Sequence, residues 1–266
     1  MRCMIGLDRM QSGSALFDGK PYRELKKPLH EVGALLDAGN AHSGRTARNH
    51  LRWLAMSNGM SPKRVDEVLE LVGLTDVAKK RVGQFSLGMK QRLGIASVML
   101  GDPKVVILDE PANGLDPEGI RWIREMLKHL ASQGRSVLVS SHLLSEMALM
   151  ADDLIVIGKG RLITECTVPD FIDRYAKKWV VVKSPQLDSF VSVAQGQGMH
   201  VSLGQGVAEF HGVEAATIGE LAAKNNVVLH ELSTQTGSLE DAFLEVTADA
   251  VQYHGNTETQ SKGVAS

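Results

Sequence analysis

The stretch Val105-Val106-Ile107-Leu108-Asp109-Glu110-Pro111 decides the fold. Four consecutive apolar residues, three of them β-branched, leave no position for a solvent face and read as a short strand buried on both sides, as in a parallel sheet. Two carboxylates follow at its carboxyl end. In open α/β sheets that end faces the ligand crevice, where adjacent acids are placed to hold a metal and activate water. Pro111 lacks the N–H that would continue the ladder. Taken alone, an Asp-Glu pair there also reads as a solvated turn.

The neighbouring stretches favour the chemical reading. Upstream lies Phe85-Ser86-Leu87-Gly88-Met89-Lys90-Gln91-Arg92; downstream lie Gly114-Leu115-Asp116 and Ser140-Ser141-His142. In this order and spacing they resemble the ATP-binding subunit of ABC transporters, in the drug-export subgroup with a carboxy-terminal accessory domain. The resemblance implies an α/β fold: a P-loop NTPase-type sheet with a helical signature subdomain, followed by a small α+β domain. It makes Asp109 the Walker B aspartate and Mg²⁺ ligand, Glu110 the catalytic glutamate and His142 the switch histidine. Ser86 and Gly88 belong to the signature motif, and Asp116 closes the D-loop.

Composition is compatible with this. The chain has 266 residues, 43% hydrophobic and 23% charged, ordinary for packed soluble domains. A formal charge of -2 gives no electrostatic case for nucleic acid or an anionic membrane surface. Cys3 and Cys166 fit no metal-ligand or redox spacing, and no apolar run approaches the ~18 to 20 residues that span a bilayer. Any membrane contact must therefore come through a partner, and the resemblance implies a cytoplasmic location, peripheral on the inner face of the cell membrane.

The amino terminus departs from the family pattern. Met1 to Leu7 reads as the last turns of the helix after the phosphate loop, and Ser12-Gly13 with Phe17-Asp18-Gly19 as the following strand and turn. No G-x-x-x-x-G-K-[ST] stretch occurs in the 266 residues. The sequence is accordingly expected to be amino-terminally truncated, by a late start site or in the gene itself, with the first strands and the phosphate loop missing. Losing three or more charge-assisted hydrogen bonds to phosphate removes at least about 5 kcal/mol, over about three decades of ATP affinity.

Glu31 to Asp37 reads as another short strand. Asp37 falls where the family has its Q-loop glutamine; an aspartate there can ligate a cation but cannot donate a hydrogen bond, and an ordinary strand-end turn is the competing reading. From Arg45 to Lys80 the pattern is helical, with Ser61-Pro62 as a start signal and Gly73 as a stop. A helix is expected from about Met89 to Leu100. Asp116-Pro117-Glu118 opens the next, so Asp116 also reads as its N-cap. Ser136 to Ser141 reads as a second buried strand, and residues 154–165 as a hairpin around Gly158-Lys159-Gly160.

Residues 179–247 follow the order strand, helix, two strands, helix, strand, helix, a split βαβ arrangement of ferredoxin-like type. The last strand is expected over Val227 to Leu232, and Ser238 begins a capping box. The domains expected are an ATPase domain over 1–175, with its helical subdomain at about 40–100, an accessory domain over 179–247 and a disordered tail over 248–266. His200, His211 and His230 share no ligand spacing and read as surface residues.

By this resemblance the chain is the ATP-hydrolysing subunit of an ABC exporter, with ATP and Mg²⁺ as cofactors. Its partners would be an integral membrane transporter subunit and a second ABC ATPase subunit, homo- or heterodimeric, with no nucleic acid. A second reading is a non-catalytic partner or remnant that only donates Ser86 and Gly88 to an intact subunit. An ABC-type ATPase of DNA repair or translation is weaker, because neither a long coiled-coil insertion nor a second cassette is present.

Overall fold

The computed structural model describes residues 1–37, 39, 41–204 and 206–247; the tail expected over 248–266 lies outside them. The chain divides into two compact units, 1–146 and 147 onward.

The first unit is built on a parallel sheet. Strands β1 (Val32–Leu35), β2 (Val105–Asp109) and β3 (Ser136–Ser140) lie in the order β1-β2-β3, with Val105 opposite both Val32 and Ser136. The deciding stretch is thus the central strand, and Val106, Ile107 and Leu108 are each at most 1% exposed. Strand β3 differs from the expectation of a fully buried strand: its residues are exposed or half-buried. It takes the sheet's edge, and its Ser-Val-Leu-Val-Ser pattern already carries polar residues at both ends.

Around this sheet lie α1 (Pro28–Glu31), α2 (Ala47–Ser57), α3 (Lys63–Leu71), α4 (Leu87–Met99) and α5 (Pro117–Ser132). Helix α4 buries Leu93, Ile95, Ala96, Val98 and Met99 on several sides, as a helix sunk in a core must. It approaches β1 closely because Gly33 and Gly94 carry no side chain: a Cβ at Gly94 would lie 2.7 Å from Leu35 Cδ1. The helix starts two residues before the expected Met89, because Ser86 caps it. Helix α3 begins at Lys63, one residue later than its Ser-Pro signal, with Ser61 Oγ accepting the Lys63 N–H at 3.3 Å. Arg64 on α3 donates to the Met99 and Leu100 carbonyls, placing a cation at the negative end of α4.

The amino-terminal residues form hydrogen-bonded turns in place of a full helix. Leu7 N–H donates to Arg2 O and Gly6 N–H to Cys3 O, with Gly6 at φ 73°. This is the pattern that ends helices, in keeping with the reading of these residues as a helix's last turns. Phe17 and Lys20 exchange two backbone hydrogen bonds across Asp18-Gly19, so the expected turn forms, while the strand before it is limited to that isolated bridge.

Helix α6 (Leu144–Met150) crosses the division between the units. The second unit continues with the hairpin β4 (Asp153–Gly158) and β5 (Arg161–Thr167), helix α7 (Val168–Tyr175), β6 (Lys178–Lys183), α8 (Leu187–Gly196), β7 (His200–Gly204), β8 (Val207–His211), α9 (Ala215–Lys224), β9 (Glu231–Thr236) and α10 (Leu239–Thr247). The sheet β7-β8-β6-β9 is antiparallel throughout, the order that a split βαβ unit requires. Phe190 and Phe210 pack in its core with ring centroids 5.9 Å apart. Helix α10 packs on α7, which draws α7 and the hairpin into this unit, so the boundary expected at 175–179 falls inside it.

Strand β9 lies about four residues beyond its expected position. Val227 N–H closes the end of α9 through Ala222 O, and Val228 N–H is taken by the Gln186 side chain. Pairing with β6 therefore starts only at Glu231. The capping box forms reciprocally: Ser238 Oγ accepts from Asp241 N–H, and the Asp241 carboxylate accepts from Ser238 N–H. His200, His211 and His230 are exposed, as expected.

Candidate active site

The parallel register sets Asp109 directly opposite Ser140 at the carboxyl ends of β2 and β3. The Ser140 hydroxyl donates to Asp109 Oδ1 and accepts from Glu110 N–H at 3.2 Å; the same N–H reaches Ser140 O at 3.1 Å. One serine therefore orients both acids. Sequence reading passed over Ser140, although its place two residues before His142 on the neighbouring strand was the available signal.

Glu110 leaves the strand with φ 49°. A left-handed backbone at a non-glycine residue costs on the order of 1–3 kcal/mol and persists only when its surroundings fix it. Here they do. Glu110 O accepts from Asn113 N–H at 3.1 Å and from Gln91 Nε2 at 3.3 Å. The turn aims the carboxylate at the end of β3, where His142 Nδ1 lies 2.7 Å from Glu110 Oε2. An ionised carboxylate only accepts, so the Nδ1 hydrogen donates. The Glu110 side chain is 34% exposed and that of His142 64%, leaving both open to a ligand.

A second group gathers at the start of α4. Ser86 Oγ accepts from Met89 N–H at 3.2 Å. Gly88 runs against the loop after β2, where a Cβ would meet Gly114 O at 3.3 Å. Gly114 has φ 74°, and a Cβ there would lie 2.2 Å from Leu87 Cδ2. Only glycine meets both requirements. Asp116 Oδ1 accepts from Gly119 N–H at 2.8 Å and caps α5, as expected. Asp37, beyond β1, accepts from Gly39 N–H at 2.7 Å, the geometry of a strand-end turn.

Among the described residues no group of three or more His, Cys, Asp or Glu side chains converges as a metal site. Mg²⁺ does not require one, because it keeps waters and uses one or two carboxylates together with substrate phosphates. Asp109, a hard oxygen donor at the strand tip, fits that role. The described helices include none long and apolar enough to cross a membrane.

A parallel sheet with paired acids at its central strand tip, a histidine at the next and a serine-glycine helix start is the arrangement that the resemblance to ABC ATP-binding subunits leads one to expect, with the acids at the strand ends where ligands bind in open α/β sheets. Comparison with known proteins agrees. The ABC transporter family model matches residues 1–113, and a model described as a domain of unknown function (DUF8746) matches 178–240. The chain is 38% identical over 258 residues to an uncharacterized ABC transporter ATP-binding protein, YhcH, of Bacillus subtilis, covering 94% of this chain and 82% of the relative. It is 34% identical to the bacitracin transport ATP-binding protein BcrA of Bacillus licheniformis, with 92% and 83% covered. A solved structure titled as the ATP binding subunit of an ABC transporter superposes with a TM-score of 0.59 at 25% identity, covering 65% of this chain and 75% of that one. The chain belongs to the ABC transporter ATP-binding proteins.

Proposed function

We propose that the chain works as the ATPase subunit of an exporter of the bacitracin and lantibiotic type, peripheral on the cytoplasmic face of a membrane subunit. The observation that carries this is the Glu110–His142 pair, 2.7 Å apart at two adjacent strand ends. Two relatives named for bacitracin and lantibiotic transport support the exporter class.

In this reading Glu110 polarises the attacking water, and Asp109 would hold Mg²⁺, which would neutralise phosphate charge. His142 has a constraint of its own. With its Nδ1 hydrogen given to Glu110, it can donate from Nε2 to a phosphate oxygen only by carrying both protons, or it must leave Glu110 when nucleotide arrives. Ser86 and Gly88, at a helix start, supply hydroxyl and N–H donors with a favourable dipole for an anion. They serve the γ-phosphate bound by a second ATPase subunit, while Asp116 follows the loop that Gly88 packs on and Asp37 lies just beyond the carboxyl end of β1. The 266 residues contain no G-x-x-x-x-G-K-[ST] loop, so a variant of this reading has the chain donating its signature face without turning over ATP itself.

The test is steady-state ATP hydrolysis by the chain assembled with a second family subunit. Glu110→Gln is expected to lower turnover by about 100-fold or more with KM for ATP little changed. Equal rates for wild type and Glu110→Gln would refute the catalytic role and leave the donor variant.

A further inference from the structure

We infer that Gln91 is a positioning residue for Glu110: its side-chain amide, carried on the helix that Ser86 opens, holds the backbone turn that aims the Glu110 carboxylate at His142. This rests on the reading of Glu110 as the group that polarises water.

Gln91 is 4% exposed, and the described residues bury few polar side chains. A buried amide is costly unless its hydrogen bonds are made. Gln91 Nε2 makes two, to Glu110 O at 3.3 Å and to Pro111 O at 3.0 Å. Both partners are carbonyls, so only the amide nitrogen, with its two hydrogens, can face them.

These bonds fall where the backbone needs holding. Glu110 sits at φ 49°, and its N–H is fixed by Ser140. The Gln91 amide fixes the carbonyl side of the same residue and of the next. With the peptides on both sides of Glu110 clamped, the residue cannot relax to an ordinary φ. Without Gln91, the buried Pro111 carbonyl loses this donor, the Glu110 carbonyl keeps only the Asn113 N–H, and the turn loses the restraint from α4.

Gln91 also lies about one and a half helical turns from Ser86, on the same rigid element. A second contact ties that helix to the same loop, with Leu87 and Gly88 against Gly114. The helix start that faces the opposite subunit's phosphate and the carboxylate that acts on water are thus joined through one buried side chain. A displacement of the helix start on nucleotide engagement reaches Glu110 directly.

The test replaces Gln91 by methionine, which matches its length and lacks the donor. At one fixed pH, the Nδ1 nitrogen resonance of His142 in ¹⁵N-histidine-labelled protein reports its bond to Glu110. Gln91→Met is expected to move this resonance to the position found in Glu110→Ala. In the two-subunit ATPase assay it is expected to lower kcat by about 10- to 100-fold, as a misplaced catalytic group does, with KM for ATP unchanged. A His142 resonance left at its wild-type position in a folded Gln91→Met protein would overturn the inference, since a merely structural role lowers stability alone. Should neither wild type nor variant hydrolyse ATP, the ATPase reading fails while the resonance still decides the positioning role. If Gln91→Met does not fold, wild type decides. Slow exchange of the Gln91 amide hydrogens, with coupling across the bonds to the 110 and 111 carbonyl carbons, supports the inference. Fast exchange without coupling overturns it.

Discussion

His142 Nδ1 and Glu110 Oε2 lie 2.7 Å apart, joining residues 32 positions apart in the chain at the tips of two adjacent strands. The pair is largely open to solvent, so it contributes at most about 1 kcal/mol to folding and its value lies in chemistry. His142→Ala is expected to leave the melting temperature within a few degrees of wild type and to lower turnover in the two-subunit assay by about 100- to 1000-fold, the loss seen when one donor to a developing anion is removed. Thermal melts and steady-state kinetics on the same preparation check both halves.

Gly114 combines φ 74° with a space closed by Leu87. Gly114→Ala is expected to destabilise the first unit by about 1–3 kcal/mol through backbone strain and overpacking. Trimming the obstacle with Leu87→Ala should recover the steric part only. Urea unfolding of the single and double variants measures this coupling.

His50 is 8% exposed, and its Nδ1 has no hydrogen-bond partner. Burial first, and the neighbouring Arg45 cation second, hold its pKa below the usual imidazole range. The unfolded chain then binds this proton more readily than the folded one. The stability due to neutral His50 is complete above the ordinary histidine pKa of about 6.5 and is lost as pH falls below it, with a slope of at most about 1.4 kcal/mol per pH unit. His50→Leu is expected to flatten the stability profile between about pH 6.5 and 5. A wild-type and variant difference that does not change over that interval would contradict this.

The 266-residue chain contains no phosphate-loop motif. Isothermal titration of this polypeptide with Mg-ATP is expected to give a Kd in the millimolar range or weaker, following from a loss of at least about 5 kcal/mol of phosphate contacts. A micromolar Kd would require another phosphate cradle.

Much of this arrangement was legible in the chain, for identifiable reasons. Val105 to Leu108 could only be a doubly covered strand, and Asp116-Pro117 carried both cap and start signal, so β2 and α5 followed from local chemistry. The ferredoxin-like order of the second unit followed from alternating strand and helix patterns. What stayed hidden depends on contacts between distant residues. Strand β9 slid because Gln186, some forty positions away, takes the Val228 N–H. The exposure of β3 depends on what covers the strand, since β1 at the opposite edge is buried under α4. In the proposed site, Asp109, Glu110 and His142 were singled out through the family resemblance, but Ser140 and Gln91 act only through partners that folding brings up, and the left-handed turn at Glu110 has no local sequence marker.

The central claim is that Ser86 and Gly88 complete a phosphate site across two subunits. Its most direct test is the ATPase rate of an intact family subunit whose own signature serine has been replaced by arginine, measured with and without this chain. Addition of wild-type chain is expected to raise the rate several-fold, and addition of the Ser86→Arg chain to leave it at the background. No increase with wild-type chain, under conditions where the two proteins form a complex, would contradict the account.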